Sequence, residues 1–514
     1  MKKQKVFSVF IFSLSGFLIF LGFLLLFSSL WFTRSFGAAV GLDAVIFTLF
    51  SDMHGTDMSA VYNYLLMGLL PTLLSSFALI TTMVYILPYF LRNSLKEKKG
   101  NLLYRGISLT LSLILFASLG VFSVYRVGIF EYLENRKNKT TLFEDFYVSP
   151  DSVSITFPEE KRNLIYIYLE SMETTYADQS NGGAMSTNLI PQLTALAKNN
   201  INFSHGDGFG GGRATTGSTW TIASTVAQTS GVPFCLPQDI WENGMNLYSQ
   251  VLPGLTTLSD ILHGQGYTQT LMMGSDAAFA GQGKYYEQHN TDTICDLLAA
   301  RKDGILPSDD YHDGFWGMED LYLFEYAKKE LQRLSSEDTP FALTLFTIDT
   351  HSPEGHLCAF CGMNTSADLE LSQFEEVIAC SDYRVWEFLE WLQKQDFYEN
   401  TTVILVGDHN SMNNGFFTDI VEEGYTRRLY NCILNSPVSP TKEKNREFTT
   451  VDMFPTTLAA LGCTIEGERL GLGVNLFSDQ QTLCERYGLS YLNTEISKYS
   501  PYYNRVFHYA QENQ

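Results

Sequence analysis

Basic residues are scarce in this chain, with 34 lysines and arginines against 56 aspartates and glutamates in 514 residues and a formal net charge of −22. Most of the negative charge lies in the C-terminal three quarters, where no basic stripe forms, and this argues against nucleic acid as a partner, because its phosphates require a dense cationic face. No internal repeat and no low-complexity stretch occurs. Charge of either sign is missing from Val6 to Thr33, from Val61 to Leu91 and from Gly106 to Tyr125. Each of these runs reaches the roughly 18–20 apolar residues that cross a bilayer, so three membrane spans are expected. The first is too long for the roughly 7–15-residue apolar core of a cleaved signal peptide and reads as an uncleaved anchor. Between the first two, "GAAVGLDAVIFTLF" is interrupted by Asp43 and fits a short interfacial segment.

Lys2, Lys3 and Lys5 precede the first run, and Arg92, Lys96, Lys98, Lys99 and Arg105 lie between the second and third. Positive flanks belong on the cytoplasmic side, so three crossings leave everything after Tyr125 outside, although Arg126, Arg136, Lys137 and Lys139 blunt the asymmetry. The expected layout is a transmembrane region over 1–125, a linker over 126–162, a globular domain over 163–480 and a tail over 481–514. Cysteine is absent from the three runs; the eight cysteines, at 235, 295, 358, 361, 380, 432, 463 and 484, all fall in the outer region, where disulfides can form. Cys358 and Cys361 make a CxxC, which fits a redox motif or half of a zinc site; no second CxxC exists, so a local loop bridge or two separate bridges is the expectation.

"NLIYIYLE", "YTQTLMM", "FALTLFTID" and "TTVILVGDH", starting at 163, 267, 341 and 401, are short, nearly continuous apolar runs typical of buried parallel strands. "LIPQLTALAKN" and "YRVWEFLEWLQKQ" supply amphipathic crossover helices. The fold class is α/β with a mostly parallel sheet. Chemistry in such sheets gathers at the carboxyl ends of strands, which here carry Glu170, Asp349 with His351, and Asp408 with His409. "TTGSTWTIASTVAQTSGVP" adds a crowd of hydroxyls ahead of an apolar helical run, with Thr221 at the helix start. Glu, Asp and His can hold Mn²⁺, Mg²⁺ or Zn²⁺, and such a cation lowers the pKa of a threonine hydroxyl enough to make it a nucleophile. Singly, each piece also fits a cap, a surface charge or a salt-bridged turn.

In their order along the chain these residues resemble the lipoteichoic acid synthase and glucan phosphoglycerol transferase family, membrane-anchored members of the alkaline phosphatase/sulfatase superfamily. The resemblance runs over roughly 140 to 480. "NLIYIYLESMETTY" is similar to the family's first metal motif, "TGSTWTIAS" to its nucleophile motif, "GDHNSMNN" to its second metal motif and "DTHSP" to the segment whose histidine contacts the substrate phosphate. "VDMFPTTLAALG" followed by "RLGLGVNLFS" is similar to its C-terminal end, and the "MNN" ending is closer to the glucan phosphoglycerol transferases. The resemblance implies Glu170, Thr221, Asp408 and His409 as metal ligands, Thr221 as nucleophile, His351 as phosphate contact or acid, and Mn²⁺ ahead of Mg²⁺ or Zn²⁺. Arg213, in "GFGGGRATTG", fits a phosphate contact or a solvated charge on a flexible loop.

The family's second histidine has no clear equivalent near "IACSDYRVW", and His356 or Asp382 stands in for it on the acceptor side. Thr215, Thr216, Ser218 and Thr219 compete with Thr221 for the nucleophile's place. The implied activity is a membrane-bound phosphoglycerol transferase with phosphatidylglycerol as donor and an extracytoplasmic glycan as acceptor. The alternatives are a lipoteichoic acid synthase, a phosphoethanolamine transferase, or a catalytically silent membrane sensor or scaffold. "CLPQD" begins like the sulfatase Cys-x-Pro-x-Arg signature, but Asp239 stands where arginine is required.

Overall fold

The computed structural model describes residues 2–36, 41–49, 58–86, 89, 97–237, 250–306, 316–352, 354–358, 361, 371–418, 420–422 and 424–510. Arg92, Lys96 and Asp239 lie outside these residues. The chain divides into two compact units, one formed by 1–38 and 57–134 and the other by 39–56 and 135–514.

In the first unit, Phe10–Ser35, Val61–Ile86 and Tyr104–Arg126 are helices long and apolar enough to cross a membrane. Phe77, Leu74, Val121 and Ile114 point outward and stay largely exposed, a surface that water penalises and hydrocarbon accepts. Between the first and third helices, a Cβ on Gly22 would come within 3.3 Å of the Phe116 main chain, so a small residue sets their approach. The Arg126 guanidinium donates to the Thr33 hydroxyl at 2.8 Å.

The second unit is built on a six-stranded sheet of β1 (Asn163–Leu169), β2 (Thr268–Met273), β3 (Thr293–Cys295), β4 (Phe341–Phe346), β5 (Thr401–Gly407) and β6 (Asn431–Leu434). Their spatial order is β3-β2-β4-β1-β5-β6. All neighbours are parallel except β6, which runs antiparallel to β5 at one edge. The four apolar runs read from the sequence are four of these strands. β3 and β6 are too short, at three and four residues, to show a periodicity.

Alternation along β1 explains why both faces are covered. Ile165, Ile167 and Leu169 join one core cluster with residues of α1 (Pro191–Asn199), α3 (Asp320–Ser335) and α4 (Gln373–Leu392). On the other face, the Tyr166 hydroxyl donates to the Gln228 side chain of α2 (Thr221–Ser230) at 2.8 Å, and the Tyr168 ring stacks on Phe346 at 4.3 Å.

Residues 126–162, expected as a linker, carry helices at Ile129–Lys137 and Leu142–Phe146 and a strand, Ile155–Thr156, paired with Thr464–Ile465. The tail holds helices Leu483–Tyr487 and Leu489–Ser497. The segment expected at the membrane interface contains a helix, Leu42–Leu49, whose Phe47 ring packs edge-on against Phe234 at 5.3 Å within the second unit. None of the eight cysteines forms a disulfide.

Candidate active site

Glu170 is the first residue past β1, and Asp408 and His409 are the first two past β5, its hydrogen-bonded neighbour; parallel pairing therefore places them at one sheet edge. All three are buried, and their ligand atoms lie within 4.8 Å of one another. The turn after Glu170 is closed by Ser171 in a left-handed conformation, φ 53°. From there the Ser171 N–H donates to Asp408 Oδ1 at 2.8 Å and its hydroxyl donates to Glu170 Oε1 at 2.7 Å. The Glu170 N–H donates to the Thr347 hydroxyl at 2.9 Å, which ties the turn to the end of β4. No sequence signal marks Ser171 or Thr347, because a lone short hydroxyl carries no pattern of its own.

His409 Nε2 is the centre of the arrangement. It lies 3.3 Å from Asp408 Oδ2, 3.8 Å from Glu170 Oε1 and 3.3 Å from the Thr221 hydroxyl. Its other nitrogen, Nδ1, lies 3.0 Å from the Asn410 carbonyl, an acceptor, so Nδ1 carries a proton and Nε2 has the lone pair when the ring is neutral. Asp408 Oδ1 accepts the N–H groups of Ser171 and His409, whereas Oδ2 is buried with no hydrogen-bond partner. An orphaned buried carboxylate oxygen is costly unless a cation completes it. Ligands held about 2.0–2.2 Å from one ion sit roughly 3–3.5 Å apart, close to the separations found here. The oxygen and imidazole donors thus fit a divalent cation.

Electrostatics point the same way. Burial and the neighbouring Glu170 push the Asp408 carboxyl up to about 7. Burial opposes the charged imidazolium of His409, but the Asp408 and Glu170 carboxylates outweigh it and hold its pKa above the ordinary value. A pocket that resists its own negative charge is one that a bound cation relieves.

Thr221 is the first residue of α2, where the sequence placed a helix start. The N-cap, Trp220, provides no side-chain acceptor, so no cap shields the first-turn N–H groups and the positive end of the helix dipole from an anion. Two of the rival hydroxyls, those of Ser218 and Thr215, have other partners. Ser218 accepts the Thr215 N–H at 2.8 Å and the Thr450 hydroxyl at 2.9 Å, and Thr215 lies 3.1 Å from Ser218 Oγ. Gly217 between them has φ +74°, and a Cβ there would meet the Phe234 carbonyl at 2.6 Å, so the turn admits glycine only.

His351, His356 and Arg213 stand outside the three-ligand set. His351 follows β4 at the same sheet edge, its Nδ1 lies 2.9 Å from the Ser352 carbonyl, and its ring lies 4.4 Å from that of Trp316. His356 Nε2 meets Glu319 Oε1 at 3.2 Å. Arg213 is fixed through its main chain, donating to Phe448 at 3.0 Å and accepting from Thr450 at 3.1 Å. Asp382, the other acceptor-side candidate, is buried; its two oxygens accept the Gln192 and Leu193 N–H groups at 3.0 and 2.8 Å and cap α1. Asp349 and Asp320 bracket each other: Asp349 Oδ1 accepts the Asp320 N–H at 3.2 Å, and Asp320 accepts the Ile348 N–H at 2.8 Å. Both support the loop after β4; Asp349 stands at a strand end that the sequence marks, whereas Asp320 is revealed only by the fold.

A sulfatase family model matches residues 162–463. Phosphoglycerol transferase I of Xanthomonas axonopodis pv. citri (strain 306) is 29% identical over 423 residues, 81% of this chain and 55% of the relative. Phosphoglycerol transferase I of Escherichia coli O139:H28 (strain E24377A / ETEC) is 27% identical over 458 residues, 88% of this chain and 55% of the relative. The chain therefore spans a little over half the length of these curated relatives. Among solved structures, lipoteichoic acid synthase LtaP from Listeria monocytogenes is similar with a TM-score of 0.47 and 17% identity, over 63% of this chain and 79% of that one. Lipooligosaccharide phosphoethanolamine transferase A from Neisseria meningitidis has a TM-score of 0.45 and 16% identity, over 82% of this chain and 79% of that one.

Proposed function

The chain belongs to the sulfatase family, and from that premise we propose that it is a membrane-anchored phosphoglycerol transferase. It moves glycerol phosphate from phosphatidylglycerol, through a glycerophospho-threonine at Thr221, to a hydroxyl of an extracytoplasmic glycan. The observation that carries the reading is the meeting of a helix-start hydroxyl with Glu170, Asp408 and His409 around one point. Relatives named phosphoglycerol transferase I support the donor class. Residues 1–125 serve as anchor and 163–480 as the catalytic domain, facing the extracytoplasmic side of the cell membrane.

In this reading Glu170, Asp408, His409 and the Thr221 oxygen hold a divalent cation, Mn²⁺ ahead of Mg²⁺ or Zn²⁺. When bound, the cation supplies charge neutralisation for the phosphodiester and a lowered pKa for the Thr221 hydroxyl. Thr221 Oγ forms the new bond to phosphorus, and the bond from phosphorus to the diacylglycerol oxygen breaks. The uncapped N–H groups of α2 face the phosphate oxygens. His351 steadies those oxygens or gives the leaving oxygen its proton, and Arg213 and His356 contact substrate. A glycan hydroxyl then attacks the same phosphorus and restores Thr221. A silent sensor or scaffold has no use for three buried ligands gathered beside a helix-start hydroxyl.

The test is incubation of the purified protein with Mn²⁺ and phosphatidylglycerol labelled in its headgroup glycerol, beside Thr221→Ala and beside phosphatidylethanolamine. Label on the Thr221 peptide and diacylglycerol release that the substitution abolishes are the expected results. Reaction with phosphatidylethanolamine alone would reassign the donor, and reaction with neither lipid would remove the enzyme reading.

A further inference from the structure

The CxxC of Cys358 and Cys361 has a third member that its spacing does not show. Cys380, on α4, brings its sulfur to 3.3 Å from that of Cys358, 22 residues away. All three sulfurs lie within 4.8 Å of one another. The Cys361 N–H donates to the Cys358 carbonyl at 3.3 Å. Cys358 and Cys380 are buried and Cys361 is half-buried. Arg384, one helical turn after Cys380, donates from Nη2 to Cys358 Sγ at 3.4 Å, and its side chain is only 7% exposed.

A disulfide consumes two thiols and would leave the third pressed against it. A single soft cation consumes all three. Thiolates bound about 2.3 Å from one zinc ion lie roughly 3.8 Å apart, between the 3.3 Å that separates the Cys358 and Cys380 sulfurs and the 4.8 Å that bounds all three. A guanidinium donating to sulfur is the partner that an anionic thiolate cluster calls for, since it returns part of the charge that three thiolates bring. The remaining five cysteines join no such group among the described residues.

We propose that Cys358, Cys361 and Cys380 bind one Zn²⁺ ion, separate from the Glu170, Asp408 and His409 cluster, with Arg384 as the hydrogen-bond donor to the Cys358 thiolate. Three thiols give up three protons as the ion binds, no electron is transferred, and a water on the exposed side of Cys361 completes the tetrahedron. Ligand chemistry keeps the two sites apart, because thiolates select zinc whereas oxygen-rich donors accept Mn²⁺ or Mg²⁺. The ion ties the loop holding His351 and His356 to α4. It is a structural staple and does not depend on the transferase reading.

The experiment uses the full-length protein, purified reduced, stripped of metal and titrated with Co²⁺. A thiolate-to-cobalt charge-transfer band in the near ultraviolet, reaching its plateau at one equivalent and reversed by Zn²⁺, is expected. Asp408→Asn keeps the band. Cys361→Ser, at the half-exposed ligand, weakens Zn²⁺ retention at least tenfold, and Cys380→Ser abolishes the band. Absence of the band in fully reduced wild type would overturn the proposal even if the variants fail to fold. So would a disulfide-linked peptide joining any two of the three cysteines in protein alkylated straight from the membrane.

Discussion

The Thr221 hydroxyl lies 3.3 Å from His409 Nε2, although 188 residues separate them in the chain. One is the first residue of a helix and the other follows a strand, so only the packing of α2 on the sheet makes them neighbours. If that hydroxyl is the nucleophile, Thr221→Ala should cut diacylglycerol release from phosphatidylglycerol by about 10³-fold or more. Thr221→Ser, which keeps the oxygen, should stay within about tenfold of wild type. Both variants should melt close to wild type, because Thr221 is only half-buried; a large loss of stability in the alanine variant would assign the residue a structural role.

Asp408 separates two tasks between its oxygens, and one substitution tells them apart. Asparagine keeps an Oδ1 acceptor for the Ser171 and His409 N–H groups but replaces the unpartnered Oδ2 with an amide nitrogen that cannot ligate. Wild type should gain about 2.7 kcal/mol of stability at Mn²⁺ concentrations near 100 times Kd. Asp408→Asn should show no Mn²⁺-dependent rise in Tm. In chelator the variant should be at least as stable as wild type, because it loses a buried carboxylate beside Glu170. Thermal melts with and without Mn²⁺ decide both points.

The strand-terminal acids and the helix-start threonine were legible in the sequence because apolar runs that end in Glu170 and in Asp408–His409 announce both a buried strand and what it delivers. Thr221 was legible through its place at the head of "TIASTVAQ". The supports were not. Ser171, Thr347 and Asp320 act through hydrogen bonds across 237, 177 and 28 residues, and no local period encodes such distances. The strand β6 is hidden for a related reason: four residues closing an edge in the antiparallel sense carry too little pattern. Cys380 sits on an amphipathic helix whose apolar face already accounts for it, so its meeting with the CxxC appears only in three dimensions.

Asp382 gives a pH dependence with a definite sign. Burial pushes its carboxyl up to about 7, partly offset by the Leu193 and Gln192 N–H groups it accepts. The folded pKa stands above the unfolded value, so between about pH 4 and 7 the folded state holds a proton that the unfolded state has lost. The contribution of Asp382 to stability is therefore greatest below the unfolded pKa and falls as pH rises toward 7. Asp382→Asn removes this proton linkage, so the change in Tm from pH 4 to pH 7 should be more positive in the variant than in wild type. The pH profile of transferase activity should keep its shape, because Asp382 caps α1; a displaced profile would return the residue to the acceptor side.

Arg427 and Glu173 hold the loop that follows His409, and their substitution should reach the metal site indirectly. Glu173 is fully buried and accepts from Arg427 Nε at 2.9 Å and from the Ser411 N–H at 2.8 Å, while Arg427 Nη2 donates to the Ser411 carbonyl at 2.8 Å. The guanidinium also lies 3.6 Å from the centre of the Phe417 ring. Ser411 is two residues past His409, so the pair pins one side of the ligand's loop. Arg427→Met leaves a buried carboxylate without its cation and should cost about 3–5 kcal/mol in a urea melt. Adding Glu173→Gln to that variant should recover part of the loss, since the uncompensated charge is then gone. Arg427→Lys keeps the charge but loses the fork and the stacking. If the pair positions His409, the lysine variant should bind Mn²⁺ about 10–100-fold more weakly than wild type. A lysine variant with reduced stability and unchanged Mn²⁺ affinity would confine the pair to holding the fold.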